Sequence, residues 1–414
     1  MLANKYCEAV FDGTHETPKQ VEFGHPLVTS KHIMRKKLDL SSAYHISSED
    51  YHSIQRRSSV SQWDILFSMI GSVGEVYLEK SHKIPYAIKN IGVFSCKNES
   101  RAKWLYYYLQ SPAAKSHIQR YLSGAVQKFL PLGALRSFPV QDFNSDSQDV
   151  IETLSCLDSK IDLNNRINTE LEDVAKALYD YWFVQFDFPD KTGKPYKSSG
   201  GKMVWNAELK REIPEGWMAG ILGQQCQITR GVTYNKEDVA DLDDQNATPI
   251  LRATNISNSE IDLKDMVYIP RNLVSNEQYL SMLDILIVMS SGSKDHIGKN
   301  AFYYFSKKTA YGAFCSKITP SNDYRLYVNV FMHSQFFKTY IRNYCLGTNI
   351  NNLTNEHITE CPLLIPDENC IAMFNEFSTP IFNKIGSNVR ENHELADLRD
   401  WLLPMLMNGQ VKVN

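Results

Sequence analysis

Between positions 150 and 182, apolar residues recur at alternating spacings of four and three: Val150, Leu154, Leu157, Ile161, then Asn164 and Asn168, then Leu171, Ala175, Leu178 and Trp182. This is the period of a helix that packs along a seam, and it predicts a long helix over 148–184. The pattern returns at Ile381, Ile385, Asn388, Asn392, Leu395, Leu402 and Leu406, weakened at Ser378 and Arg399, and predicts a second helix over 372–403 that ends near Pro404. The two stretches are copies. At a constant offset of 224, Lys160/Lys384, Ile161/Ile385, Asn164/Asn388, Arg166/Arg390, Asn168/Asn392, Glu170/Glu394, Leu171/Leu395, Asp173/Asp397 and Leu178/Leu402 coincide without a gap. Two seams with polar residues at equivalent points suggest helices that pack on each other. An asparagine in a seam gives up stability to fix register, because a slipped pairing buries its amide without a partner. Two separate amphipathic helices with solvent-facing asparagines are the alternative.

Each helix follows a stretch of mixed strand and helix pattern, and these stretches echo each other more faintly. "WDILFSMIGSVGEVYL" (63–78) resembles "LDILIVMSSGSKDHIG" (283–298): an aspartate, an apolar strand, then a turn rich in serine and glycine. "SGAVQKFLPLGALRSFPV" aligns with "LGTNINNLTNEHITECPL" at offset 223 through Gly124/Gly347, Leu130/Leu353, Leu135/Ile358 and Pro139/Pro362. The framework recurs while the loop residues differ, which fits two copies of one recognition domain tuned to different targets; drift after duplication is the alternative. The expected architecture is α/β mixed (α+β), with a pseudo-two-fold internal repeat. It comprises a first recognition domain (1–145), a first helix and linker (146–205), a second recognition domain (206–370) and a second helix (371–414). In the stretch after the first helix, Pro189, Gly193, Pro195, Gly200 and Gly201 break regular structure and predict a hinge or linker.

At 414 residues the chain is too long for one ordinary core, and 43% hydrophobic with 22% charged residues is a globular composition. Its eight cysteines are scattered without a C-x-x-C pair, which suggests neither a zinc site nor a disulfide framework. The start, "MLANKYCEAV", lacks a basic segment followed by an apolar one, and no apolar run approaches a membrane span. A soluble, cytoplasmic protein without membrane association is expected.

Charge is unevenly spread although the net is only −3. Residues 1–145 hold 18 Lys and Arg against 12 Asp and Glu, with basic clusters at 31–37 and 55–57, whereas 146–190 hold 3 against 11. A positive lobe on an acidic helix suits a nucleic-acid reader with a separate protein-docking element; a solvated charged face is the bland alternative.

Catalytic patterns fail. No G-x-G-x-x-G or P-loop appears, nor an Asn/Asp-Pro-Pro-aromatic tetrad, G-x-S-x-G, H-E-x-x-H or nuclease carboxylate cluster. His15 reads as a turn histidine rather than a base.

The segment "LDSKIDLNNRINTELEDVAKALYDYWFVQFDFPDKTGKPYKSSGGKMV", followed by "IPEGW" at 213–217 and a second arm plus helix, resembles the specificity (S) subunits of type I restriction-modification systems. The resemblance implies a non-catalytic, sequence-specific DNA-recognition subunit of a host defence system. Two target recognition domains would each read half of a bipartite site in double-stranded DNA. Two long antiparallel helices would form a coiled-coil spacer that acts as a ruler and docks two methyltransferase (M) subunits, with restriction (R) subunits in the full complex. No cofactor is expected on this chain, and S-adenosylmethionine would sit on the partner methyltransferase. The shortened exit of the second helix, which stops at Asn414, departs from the family pattern.

The residues expected at DNA are Lys31, Arg35, Lys36, Lys37, Arg56, Arg57, Gln127, Lys128, Arg252, Ser291, Lys294, Thr348, Asn349, Asn351 and Asn352. Gln127 and the asparagines have the paired donor and acceptor that match adenine, while Lys128 and the arginines 56, 57 and 252 suit phosphate or guanine. Capping and turn bonding are the ordinary alternative for the asparagines. The expected helix–helix residues are Ile161, Asn164, Asn168, Leu171, Leu178, Ile385, Asn388, Asn392, Leu395 and Leu402. A stand-alone DNA-modifying enzyme with an unrecognised active site and a coiled-coil adaptor without DNA function remain the competing classes. The first would bind S-adenosylmethionine or metal by itself; the second would show no affinity for duplex.

Overall fold

Ile65, Leu66, Phe67, Val93 and Phe94 are completely buried, so both faces of their strands are covered and the sequence reads as continuous apolar runs rather than alternation. In the computed structural model these strands are the centre of a four-stranded antiparallel sheet. Its spatial order is Ala9–Asp12, Ile91–Ser95, Asp64–Ser68 and Val76–Leu78. The structure describes residues 1–34, 36–122, 129–241, 244–257, 259–292, 296–344 and 351–411. Beside this sheet lies a three-stranded one in which His25–Val28 pairs antiparallel with His45–Ile46 and parallel with Ala87–Ile88. The helices Glu99–Gln110, Pro112–Tyr121 and Leu132–Arg136 bury Trp104, Leu105, Ile118 and Leu135 in the core that holds Ile65, Phe67 and Phe94.

The second arm repeats this plan strand for strand. Its four-stranded sheet runs Cys226–Arg230, Cys315–Pro320, Ile285–Val288 and Asn300–Phe302. Ala247–Leu251 pairs antiparallel with Val267–Pro270 and parallel with Ala310–Tyr311. The helices Arg325–His333, Gln335–Tyr344 and Asn355–Thr359 follow in the same order. Leu130 and Leu353, like Leu135 and Ile358, are buried in their own arms, as the alignment requires. Each arm also carries a two-residue hairpin, Ile33–Met34 with Lys37–Leu38 and Ile256–Ser257 with Glu260–Ile261. Lys36 (φ 66°) and Ser259 (φ 65°) take the left-handed position at its tip. No Asn-Gly marked either turn.

Among the described residues the arms differ in several elements, of which the largest is a helix of the first arm. After the strand His45–Ile46 the first arm forms an eleven-residue helix, Ser48–Ser58, capped by Ser47, whose Oγ accepts from the Asp50 N–H. The matching stretch of the second arm holds only the 3-10 turns Arg271–Leu273 and Asn276–Gln278.

Both long helices are present. The first, Ser145–Tyr179, continues into a π-helical turn, Asp180–Val184; the second is Glu368–Met407. It runs three residues past Pro404. Pro380 and Pro404 both lie inside it, and the turn beyond Pro404 is held because Leu403, Leu406 and Met407 are buried in the core of the first arm, offsetting the lost backbone bond. Two compact units result, Met1–Ile161 with Glu394–Asn414 and Asp162–His393, so that each unit contains part of each helix.

The stretch after the first helix, a hinge or linker by its prolines and glycines, is held in place by packing and local bonds. Phe186, Phe188 and Trp217 are buried, with Phe188 stacked on Trp217 at 4.8 Å and on Tyr196 at 4.7 Å. Asp190 Oδ1 accepts from Thr192 Oγ1 and from the N–H groups of Thr192 and Lys194, and Asp187 accepts from the N–H and Oγ of Ser198. These bonds close the turns locally, so the segment is tied down without regular structure.

Candidate nucleic-acid interface

The asparagines of the seam face each other. In the second unit Asn388 Nδ2 donates to Asn168 Oδ1 at 2.8 Å, and Asn164 Nδ2 donates to Asn392 Oδ1 at 2.9 Å and to Glu391 Oε2 at 2.8 Å. Asn392 Nδ2 in turn reaches Asn165 Oδ1 at 2.8 Å. As the first helix advances from 164 to 168 the second retreats from 392 to 388, so the pairing is antiparallel. Asn164 and Asn388 are wholly buried and Asn168 is 5% exposed, which excludes the solvent-facing alternative. Leu171, Leu178 and Ile385 continue the seam into the apolar core, while Ile161, Leu395 and Leu402 are half-buried.

In the first unit the seam is closed by charge instead. Arg399, which weakened the apolar pattern, is 6% exposed, and its Nη1 lies 2.6 Å from Asp158 Oδ1 while Nη2 lies 2.8 Å from Asp400 Oδ1. Tyr107 donates its hydroxyl to the other oxygen of Asp158 at 2.8 Å. Burial works to discharge the guanidinium, but Asp158 and Asp400 outweigh it and hold Arg399 above its ordinary pKa.

The expected DNA contacts fall into groups. Lys31, Lys37, Arg56 and Arg57 are exposed on the first arm. Lys36, half-buried at the hairpin tip, lies 3.7 Å from Asp400, so part of its charge serves to seat the hairpin on the second helix. Arg252 is exposed, but its guanidinium donates to the Asp265 carbonyl at 2.8 Å. Ser291, Asn351 and Asn352 are brought together: Ser290–Ser291 forms a two-strand ladder with Asn351–Asn352, and the Ser290 hydroxyl donates to Asn352 Oδ1. Arg35, Gln127, Lys128, Lys294, Thr348, Asn349 and the side chain of Asn351 lie outside the described residues. His52 and Ser53, exposed beside Arg56 and Arg57 on the helix Ser48–Ser58, escaped sequence reasoning. The serine cap before "SEDYHSIQRRS" was the signal that could have found them.

Charge separates the arms: 206–370 hold 15 Lys and Arg against 19 Asp and Glu, the reverse of the first arm's balance. His15 sits in an exposed turn, 2.7 Å from Asn90 Oδ1 and 3.1 Å from Asp12 Oδ2. Among the described residues no group of three His, Cys, Asp or Glu could hold a metal ion, and no helix is long and apolar enough to cross a membrane.

Residues 27–173 match the type I restriction modification DNA specificity domain. Over 143 residues, 34% of the chain, the sequence is 38% identical to the specificity subunit of the type I restriction enzyme StySPI from Salmonella potsdam. That match spans 31% of the relative, about a third of its length. Over 322 residues, 75% of the chain and 69% of the relative, it is 23% identical to the MjaIX specificity subunit of Methanocaldococcus jannaschii. A crystal structure of a type I restriction-modification S subunit from M. genitalium matches 98% of this chain and 95% of its own, at 13% identity and a TM-score of 0.47. Residues 27–173 thus carry a type I restriction-modification DNA specificity domain, and the chain is similar over the stretches given to the specificity subunits of type I restriction enzymes.

Proposed function

We propose that this chain reads a bipartite sequence in double-stranded DNA and brings methyltransferase and restriction subunits to it, without chemistry of its own. The observation that carries this reading is the repetition of one arm. Two copies share strand order and the same mixture of parallel and antiparallel pairing, yet differ in surface elements and in net charge. A catalytic site would be expected once; a reader of two unlike half-sites needs one scaffold twice with different contacts. The seam supports the second part of the reading. A helix pair with its register fixed by buried amides suits a spacer that holds the number of unread base pairs constant, and its acidic outer residues suit docking of two methyltransferase subunits better than DNA.

Co-expression with the cognate methyltransferase subunit, followed by methylation-sensitive sequencing of the host DNA, tests the proposal. A methylated motif of two short half-sites with a fixed unread spacer is expected. Methylation without a split motif, or none beyond that of the methyltransferase alone, overturns it. Isothermal titration of the isolated chain with S-adenosylmethionine separates this reading from the stand-alone enzyme: no heat of binding is expected.

A further inference from the structure

The helix Ser48–Ser58 has no helical counterpart in the second arm, and it is built as a presented element. Its inner side is pinned three ways. Ile54 enters the cluster of Leu27, Ile46 and Ala87, Gln55 Nε2 donates to the Tyr86 carbonyl at 3.0 Å, and the Tyr51 hydroxyl donates to the Ile84 carbonyl at 2.8 Å. His25 stacks on Tyr51 with ring centres 3.8 Å apart and planes 10° from parallel, which braces the same turn. Its outer side carries Ser48, Glu49, His52, Ser53, Arg56 and Arg57, all exposed, at the i, i+1, i+4, i+5 spacing of a single face. His52 packs its ring edge-on against Tyr51 at 5.3 Å, and among the described residues neither Arg56 nor Arg57 makes an ion pair. In the second arm the matching stretch is occupied with its own fold, Arg271 Nη2 donating to the Gln245 carbonyl and Gln278 Nε2 to the Arg230 carbonyl.

Resting on the DNA-reading function above, we propose that this helix enters the major groove of the first half-site, with His52, Ser53, Arg56 and Arg57 as its base-reading residues. An eleven-residue helix is about 16 Å long, and the major groove, about 12 Å wide, admits one helix. The face is cationic toward its C-terminal end on the arm with the positive balance, which favours a polyanion over a protein partner. Arg56 and Arg57 match guanine O6 and N7, His52 can donate to the same edge, Ser53 both donates and accepts, and Glu49 can accept from cytosine N4. The first half-site therefore contains at least one G·C pair whose recognition depends on this helix. The second half-site is read by other elements.

The test uses the chain in complex with its methyltransferase subunit. His52→Ala, Ser53→Ala, Arg56→Ala and Arg57→Ala are each mapped by methylation sequencing, with Arg271→Ala in the second arm as control and a thermal melt to verify folding. At least one helix variant should relax one or two positions of one half-site, with discrimination there falling about ten-fold or more, while the other half-site stays intact and the melting temperature is unchanged. Two results overturn the assignment: retention of the full motif by all four variants, which makes the face merely solvated, and methylation weakened evenly over all sequences, which reduces it to a phosphate contact. A wild-type complex without a bipartite motif would instead remove the parent function, and this inference with it.

Discussion

Asn388 donates to Asn168 at 2.8 Å, and four residues along each helix Asn164 donates to Asn392 at 2.9 Å. The repeat has placed the same pair of residues twice, in opposite order, so that each layer joins one copy of the first position to one copy of the second. The arrangement leaves Asn164 Oδ1 and Asn388 Oδ1 buried without a partner. Such layers discriminate between registers more than they stabilise.

Asn388→Ala should therefore cost about 1 to 3 kcal/mol, because it strands the Asn168 carboxamide in the seam. Replacing Asn168 and Asn388 together by leucine should recover most of that loss in urea unfolding. A double variant no more stable than the single one would contradict the account.

Arg399→Met removes the cation between Asp158 and Asp400 and leaves Asp158 only partly covered by Tyr107. A loss of about 3 to 5 kcal/mol is expected for breaking a pair this buried. Adding Asp158→Asn to the methionine variant should restore part of it, since no unpaired carboxylate then remains. The comparison is made by chemical denaturation at one pH and salt concentration.

The repeat also pairs Asp64 with Asp284. Asp284 accepts from Thr319 Oγ1 at 2.7 Å and lies 3.8 Å from Lys317, whereas the position matching Lys317 in the first arm is Val93. Burial raises the pKa of Asp64 above the ordinary carboxylate value of 3.8. With the folded pKa raised, folding carries no penalty while both states are protonated. The cost appears as pH rises through the unfolded value and is complete above the folded one. Asp64→Asn should accordingly raise the melting temperature at pH 7 and leave it nearly unchanged at pH 3. An equal gain at both pH values would mean that packing, not charge, is responsible.

Leu171 and Ile385 lie on the same side of the two amide layers, so seven residues inserted after Leu171 and seven after Lys384 should lengthen the pair without disturbing either layer. Each heptad adds about 10 Å at 1.5 Å per residue, or about 3 base pairs at 3.4 Å. The methylated motif of the double-insertion variant should keep both half-sites and widen the gap between them. Four residues in one helix alone should impair folding or methyltransferase binding, because the apolar stripe rotates off its partner. An unchanged gap in an active variant would assign the spacing to the methyltransferase subunits.

The helices and their pairing were legible because a seam imposes one period over many turns, and because the gapless offset of 224 made the asparagines conspicuous. The sheets were legible only where both faces are buried, as in "DILFS" and "ILIV"; strands of two residues such as Ile33–Met34 have no period to detect. Arg399 was misjudged because a charge at a seam position reads as an interruption, and its partner Asp158 lies 241 residues away. Pro404 reads as a stop because the missing N–H is local, whereas the burial that holds the helix past it is not. The reading face of Ser48–Ser58 was half seen, through its arginines, because its placement depends on pinning by Ile84 and Tyr86, far along the chain.

The closed turns after the first helix bear on how the protein meets a protease. Lys191 and Lys197 are exposed on a segment whose prolines and glycines invite a tryptic cut. Trypsin, however, needs an extended stretch of backbone, and here the Asp187 and Asp190 bonds together with the Phe188–Trp217 stack keep the chain curled. Cleavage there requires prior opening, so its rate follows the population of the opened form rather than the exposure of the lysines. A tryptic digest should spare this junction, and Asp190→Ala should turn it into an early cutting site.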